Sequence, residues 1–213
     1  MAPLLALIIM LIPLAIAPGL VFYFDITTKV IVLLAGTAAA VIYWAATGRS
    51  SGFLCASRAA RWFTWLLIGM AASLVLSTLL SVNPALSLGG SKWRNWGLVT
   101  LLAMLLLVWF VAACCAGQPR RLRTILRAVT ASGLITAIYG IAQYFGWDPL
   151  LNPSAYHVGE GIYRIVRPPS TLGHADYFAS WQLCPVFFSA ALVLTDKSHF
   201  WRRLAWLSCL TWR

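Results

Sequence analysis

Apolar residues in this chain come in long unbroken runs separated by short polar stretches. They neither alternate nor recur with a polar face every 3.6 residues, and a run apolar on all sides is what a helix surrounded by hydrocarbon requires. Six runs are evident, at about Leu4 to Phe24, Val30 to Ala46, Trp62 to Leu80, Trp96 to Ala116, Ile125 to Phe145 and Tyr177 to Leu194, and a seventh begins near Phe200. Each of the first six has or approaches the roughly 17–25 residues needed to cross a bilayer core. Pro13 and Pro18 kink or break the first run, and Pro185 lies inside the sixth; neighbouring helices in a membrane bundle can satisfy the backbone groups so freed. The expected fold is therefore all-α: a polytopic integral membrane helical bundle with six to seven transmembrane helices. Residues 1–213 form one transmembrane domain with no soluble domain or linker. Ala15-Ile16-Ala17 resembles a signal-peptide cleavage site, but no basic region precedes the first run and Pro18 would follow the cut. The run reads as a retained helix.

Composition agrees. Only 10% of residues are charged, 61% are hydrophobic and the mean hydropathy is +0.83, against about 25% charged residues in soluble domains. A formal charge of +11 would point to nucleic acid in a soluble protein, but here the basic residues occupy short loops. They read as a topology signal and as contacts with anionic membrane lipid, with no nucleic-acid partner. The second, fourth and sixth loops hold ten basic residues: Arg49, Arg58, Arg61, Arg120, Arg121, Arg123, Arg127, Lys197, Arg202 and Arg203. The first, third and fifth hold five: Lys29, Lys92, Arg94, Arg164 and Arg167. That bias puts the N-terminus in the cytoplasm and the odd loops outside. Trp44, Trp62, Trp93, Trp96, Trp147, Trp181 and Trp201 stand near segment ends, where an indole suits the headgroup region. Trp65 and Trp109 lie further in and read as packing residues. The five cysteines lack metal-ligand spacing and read as small buried hydrophobes.

Two outward loops hold the candidate chemistry. In the shorter, about 81–96, Lys92 and Arg94 flank Trp93; the trio is either an interfacial anchor or the lip of an anion site. The longer, about 146–174, is rich in turn residues and ends in Arg164, Arg167, Pro168, Pro169, Ser170, Thr171, His174 and Asp176. Pro168 disfavours helix at Arg167, so the two arginines belong to an extended segment. Guanidinium groups fork onto phosphate oxygens, which suits a pyrophosphate; snorkelling, or a local pair with Glu160 or Asp176, is the competing reading. His174 stands at the N-terminus of the sixth helix, where backbone N–H groups favour anions. It is a candidate base or phosphate donor, while Ser170, Thr171 or Asp176 are candidate caps for that helix. The carboxylates Asp25, Asp148, Glu160, Asp176 and Asp196 all fall in loops or at run ends, unlike the intramembrane acids of ion-coupled transporters. No P-loop, dinucleotide fingerprint or metal-ligand cluster occurs.

Three blocks carry a family resemblance. Ser77-Thr-Leu-Leu-Ser-Val-Asn-Pro84, with Ser87-Leu-Gly-Gly-Ser91 and Trp96-Gly-Leu98, is the first. Tyr139-Gly-Ile-Ala-Gln-Tyr-Phe-Gly-Trp-Asp-Pro149 is the second, and Arg164 through Ser170-Thr-Leu-Gly-His-Ala-Asp-Tyr-Phe178 the third. Together they resemble the bacterial O-antigen ligase/polymerase family, whose members typically have an arginine followed by Thr-Phe-Gly-Asn-Pro-Asn-Tyr; Leu172, His174, Ala175 and Asp176 depart from that form. The resemblance implies a GT-C-like glycosyltransferase of the bacterial inner membrane. Such enzymes move a glycan from undecaprenyl pyrophosphate to lipid A-core, a growing polysaccharide or a protein on the periplasmic face, with no metal or cofactor. Arg164 and Arg167 would hold the donor pyrophosphate, with Thr171, Asp176, Lys92 and Arg94 as further substrate-binding residues and His174 as the candidate catalytic group. The family has further helices and a periplasmic loop bearing arginine and histidine, so the chain is expected to be an N-terminal portion, inactive alone, with the catalytic base elsewhere. A membrane transporter, by analogy with relatives labelled bicarbonate transporters, and a non-catalytic membrane fragment are the alternatives. The motifs do not separate ligase from polymerase.

Overall fold

In the computed structural model, the described residues are 1–17, 25–47, 57–91, 94–152, 156–158 and 165–211. Helices make up most of them: α1 (Ala2–Leu14), α2 (Ile26–Ala46), α3 (Arg58–Leu79), α4 (Pro84–Gly89), α5 (Leu98–Cys115), α6 (Pro119–Tyr144), α7 (Ala175–Thr195) and α8 (His199–Leu210). A two-stranded antiparallel hairpin, β1 (His157–Val158) with β2 (Ile165–Val166), and one 3-10 turn at Ser170–Leu172 lie between α6 and α7. Five helices, α2, α3, α5, α6 and α7, are long and apolar enough to cross a membrane. The chain is a multi-pass, all-α membrane protein.

Helix α1 has 13 residues, about 20 Å at 1.5 Å per residue against a core of about 30 Å, and the rest of the first run, 18–24, lies outside the described residues; α8, with 12 residues, is the start of the seventh run. Helix α1 ends one residue after Pro13, and Ala15–Ala17 are not helical. Helix α6 starts earlier than its apolar residues indicated, because Pro119 suits the first helical position and Arg120, Arg121 and Arg123 continue the helix. The loop between α3 and α5 holds the six-residue α4, started by an Asn83 side chain that accepts from the Leu86 N–H (3.2 Å) and by Pro84 behind it.

The chain forms two compact units, Met1–Ile8 with Val30–Leu122 and Ile9–Lys29 with Arg123–Arg213. In the first, α2 buries Leu33, Thr37 and Ala40, and Gly36 leaves room for Ile8 of α1 to lie against its backbone. Helix α5 buries Thr100, Ala103, Leu107, Phe110 and Cys114 along one stripe. Trp109 donates from Nε1 to Thr64 Oγ1 of α3 (3.3 Å) and meets Trp44 edge-on at 6.3 Å, so it is the packing residue its position indicated. Trp65 is not: it is 65% exposed, because the face of α3 turned to α5 is that of Ala60 and Thr64.

In the second unit, the buried faces of α6 and α7 are rich in small and hydroxyl residues, with Ile125, Val129 and Leu192 also inside, while many large apolar side chains are exposed. Thr130, Ser132, Gly133, Thr136, Ala137 and Gly140 of α6 are buried, as are Gln182, Pro185 and Ser189 of α7. Lipid tails are as apolar as leucine, so helix pairs in hydrocarbon associate through close backbone approach and interhelical hydrogen bonds. Both occur here. Gly133 lies against the Pro185 ring and Gly140 against Phe178, where a methyl group would collide. Gln182 Nε2 donates to Gly133 O (3.0 Å) and Thr136 Oγ1 (2.9 Å). These contacts align α6 and α7 antiparallel. At one end of the pair, Arg127 forks onto Asp196 with two bonds of 2.7 Å and stacks over Trp201 at 5.2 Å. The carboxylate is fully buried, and the Arg127 hydrogen bonds hold its pKa below the usual carboxylate range against the cost of burial.

Candidate functional site

The other end of the α6–α7 pair carries the polar loop, and three layers hold it. Deepest is Gln143, the last polar side chain of α6 and wholly buried. Its amide N–H donates to Asp148 Oδ2 (2.8 Å), and its carbonyl oxygen accepts from the Ser170 backbone N–H (2.8 Å). One side chain thus ties the start of the loop to its end. Ser170, in the left-handed region at φ 51°, donates its hydroxyl to Thr136 O (2.7 Å).

Asp148 is the second layer. It accepts from Tyr139 Oη (2.6 Å), Gln143, and the N–H groups of Leu150 and Leu151 (both 2.9 Å). Burial alone would raise its pKa, but these donors more than offset it and hold the carboxyl below its ordinary value. Beside it Tyr156 is 3% exposed, and burial together with the neighbouring Asp148 carboxylate pushes that phenol up. The Tyr156 carbonyl accepts from the Arg167 N–H (3.0 Å), fixing the backbone from which the arginine projects.

The third layer comes from the ends of α1 and α2. A helix leaves its last carbonyls without partners, and here the Pro13 carbonyl accepts from the Thr171 hydroxyl (2.6 Å) while Ala15 O accepts from Lys29 Nζ (3.0 Å). The same ammonium also donates to Asp25 O (3.1 Å) and Thr171 O (2.6 Å). Gly173, at φ 79°, lies flat against the Asp25 carboxylate, a contact and a conformation no other residue would share.

On this base sit the exposed groups. Arg167 Nη2 donates to Asp176 Oδ1 (2.9 Å), with both side chains half or more exposed; such a pair is worth less than about 1 kcal/mol, so an anionic ligand can displace the carboxylate. His174 is the N-cap of α7: its Nδ1 accepts from the Asp176 N–H (3.2 Å). That bond uses Nδ1 as an acceptor and leaves Nε2–H free to act as a hydrogen-bond donor toward a ligand. The expected caps are otherwise employed. Ser170 and Thr171 are buried in the layers beneath, and Asp176 lies in the first turn, bonded to Arg167.

Of the sequence-predicted site residues, Arg167, His174 and Asp176 are brought together, and Thr171 is placed underneath them as a structural hydroxyl. Arg94 belongs to the first unit, exposed where its N–H donates to Ser91 O (3.0 Å) before α5. Arg164, Lys92 and Glu160 lie outside the described residues. The segment next to Arg164 is extended, as β2. Lys29, Gln143 and Tyr156 were missed as site residues. A glutamine inside an apolar run is itself a signal of a buried polar role, and both Gln143 and Gln182 bear it out. Below Arg167, Pro168 borders a groove of about 650 Å³ between α6 and α7, lined by Gly140, Ile141, Tyr144, Phe145 and Phe178 among others. Among the described residues no group of three His, Cys, Asp or Glu side chains is placed to hold a metal ion.

No family model, no curated protein and no solved structure matches this chain.

Proposed function

We propose that this chain is the donor-binding part of a bacterial inner-membrane glycosyltransferase, ligase-like or polymerase-like. It takes a glycan from undecaprenyl pyrophosphate and passes it to lipid A-core, a growing polysaccharide or a protein on the periplasmic face. One juxtaposition carries the reading. An arginine held at the start of α7, with a weak and displaceable carboxylate partner, stands beside an apolar groove entered at Pro168. A ligand with a diphosphate head and a hydrocarbon tail has this division of chemistry: the guanidinium and the α7 N–H groups suit the head, and the groove suits the tail. The three sequence blocks that resemble the O-antigen ligase/polymerase family support the same reading. Arg164 and Arg167 hold the pyrophosphate, and His174 Nε2–H donates to it. The departing undecaprenyl pyrophosphate gains charge as the glycan leaves, so an arginine contact that strengthens in the transition state lowers the barrier. In the full-length protein, Arg167→Ala and Arg164→Ala each abolish glycan transfer while membrane insertion persists. Normal polysaccharide in both variants would sink the assignment.

A further inference from the structure

Helix α3 has two dissimilar faces. Ala60, Thr64 and Thr78 are buried, and Leu67, Ala71 and Leu74 between them are partly covered. On the opposite face Arg58, Arg61, Trp62 and Trp65 follow one another at helical spacing, and at 100° per residue they fall within an arc of about 100°. All four are exposed and border a hollow of about 330 Å³. Neither guanidinium group forms an ion pair or hydrogen bond among the described residues. Further along the same face come Gly69, with open space where a side chain would stand, and exposed Ala72 and Leu76.

We propose that this face of α3 is a binding site for an anionic phospholipid. Arg58 and Arg61 take the headgroup phosphate, Trp62 and Trp65 bracket the glycerol backbone, and an acyl chain runs over the notch at Gly69 and Ala72. Charge complementarity selects the occupant. Two cations at the first turn of a helix add to the partial positive charge of its N-terminus, and nothing among the described residues neutralises them. Guanidinium forks match phosphate oxygens, and indole rings prefer the headgroup depth. A protein helix laid on this face would bury both guanidinium groups and would need its own carboxylates to meet them. The site lies in the first unit and does not rest on the glycan-transfer reading.

The test is tryptophan quenching in vesicles of phosphatidylcholine in which a minority lipid is brominated on its acyl chains, either phosphatidylglycerol or phosphatidylcholine. The signal of Trp62 and Trp65 is the difference between the wild-type chain and W62F/W65F. Brominated phosphatidylglycerol should quench it at far lower mole fraction than brominated phosphatidylcholine. Each basic residue beside an anionic lipid contributes roughly a factor of five, so R58Q and R61Q each lower that selectivity roughly fivefold and R58Q/R61Q roughly 25-fold. The single variants keep most of the loop charge, so their orientation is preserved if the double variant inserts wrongly. Inorganic phosphate should leave the quenching unchanged. Equal quenching by the two lipids, selectivity undiminished in correctly inserted R58Q and R61Q, displacement by inorganic phosphate, or shielding of both indoles from either lipid would each overturn the site.

Discussion

Gln143→Leu is the sharpest test of how the polar loop is held. The substitution keeps the volume in a wholly buried position but removes two hydrogen bonds of 2.8 Å. The Ser170 N–H is left buried without a partner, at about 1–3 kcal/mol. Asp148 loses one of its four donors, and a hydrogen bond to a charged group is worth about 1.5–3 kcal/mol. Three donors remain on Asp148 and it is partly exposed, so the lower end applies to that half, and the sum is about 2.5–4.5 kcal/mol. On the scale of proteins this size, roughly 2–4 °C per kcal/mol, the melting temperature drops by roughly 5–18 °C. Detergent-solubilised protein followed by fluorescence-detected size exclusion after heating reads that drop. Hydrogen exchange places it: Ser170, Leu150 and Leu151 should lose protection while the middle of α6 keeps its own. The pH dependence shifts with it. Asp148 has a depressed pKa in the fold, so its contribution is complete above the ordinary carboxylate range and is lost as pH falls through the depressed value. With a donor gone that pKa rises toward normal, so the Gln143→Leu variant should lose less stability on acidification than the wild type, the loss starting in the same ordinary carboxylate range and ending at a higher pH. An unchanged melting temperature with unchanged Ser170 protection would refute the bridging role.

Lys29→Met removes the ammonium shared by Ala15, Asp25 and Thr171 carbonyls. It should cost about 2–4 kcal/mol, less than three charged hydrogen bonds at face value because water can reach a half-buried site; exchange protection across 170–174 should fall while α5 is unaffected. Asp196→Asn breaks the Arg127 fork, at about 2–4 kcal/mol, below the usual cost of a buried pair because Arg127 keeps 31% of its side chain exposed. Since the Asp196 pKa is also depressed, wild-type stability from this pair is full above the ordinary carboxylate range and is lost on acidification. The asparagine variant, compared by thermal unfolding at falling pH, should lose less.

Apolar run length alone made five spans legible, because a helix in hydrocarbon must be apolar on every side and about twenty residues long. The run from Leu4 contains a proline that ends α1 early, and once the helix ends its free carbonyls need donors from elsewhere. Those donors, Thr171 and Lys29, are 158 and 14 residues away from the carbonyls they serve. No local pattern announces them. Lys29 in particular reads from sequence as one more loop charge. The extended backbone before Pro168 was legible because the Pro-Pro pair restricts it. The identity of the cap was not, since histidine, serine, threonine and aspartate stand within seven residues and only the chain's path decides which meets the first free N–H.

By itself, then, the sequence determined an all-α multi-pass membrane protein, the positions of its spans to within a few residues, and the stretch in which its exposed cations and hydroxyls gather. Tertiary structure decided which of those groups remain available. Thr171 and Ser170 went underneath, Gln143 and Lys29 were recruited to hold the loop, and Arg167, His174 and Asp176 were left on the surface. The division has a physical reason. Hydrophobicity acts residue by residue along the chain and survives in any one-dimensional reading, whereas hydrogen-bond satisfaction is a pairwise condition that a buried polar group meets only with whatever partner the fold delivers.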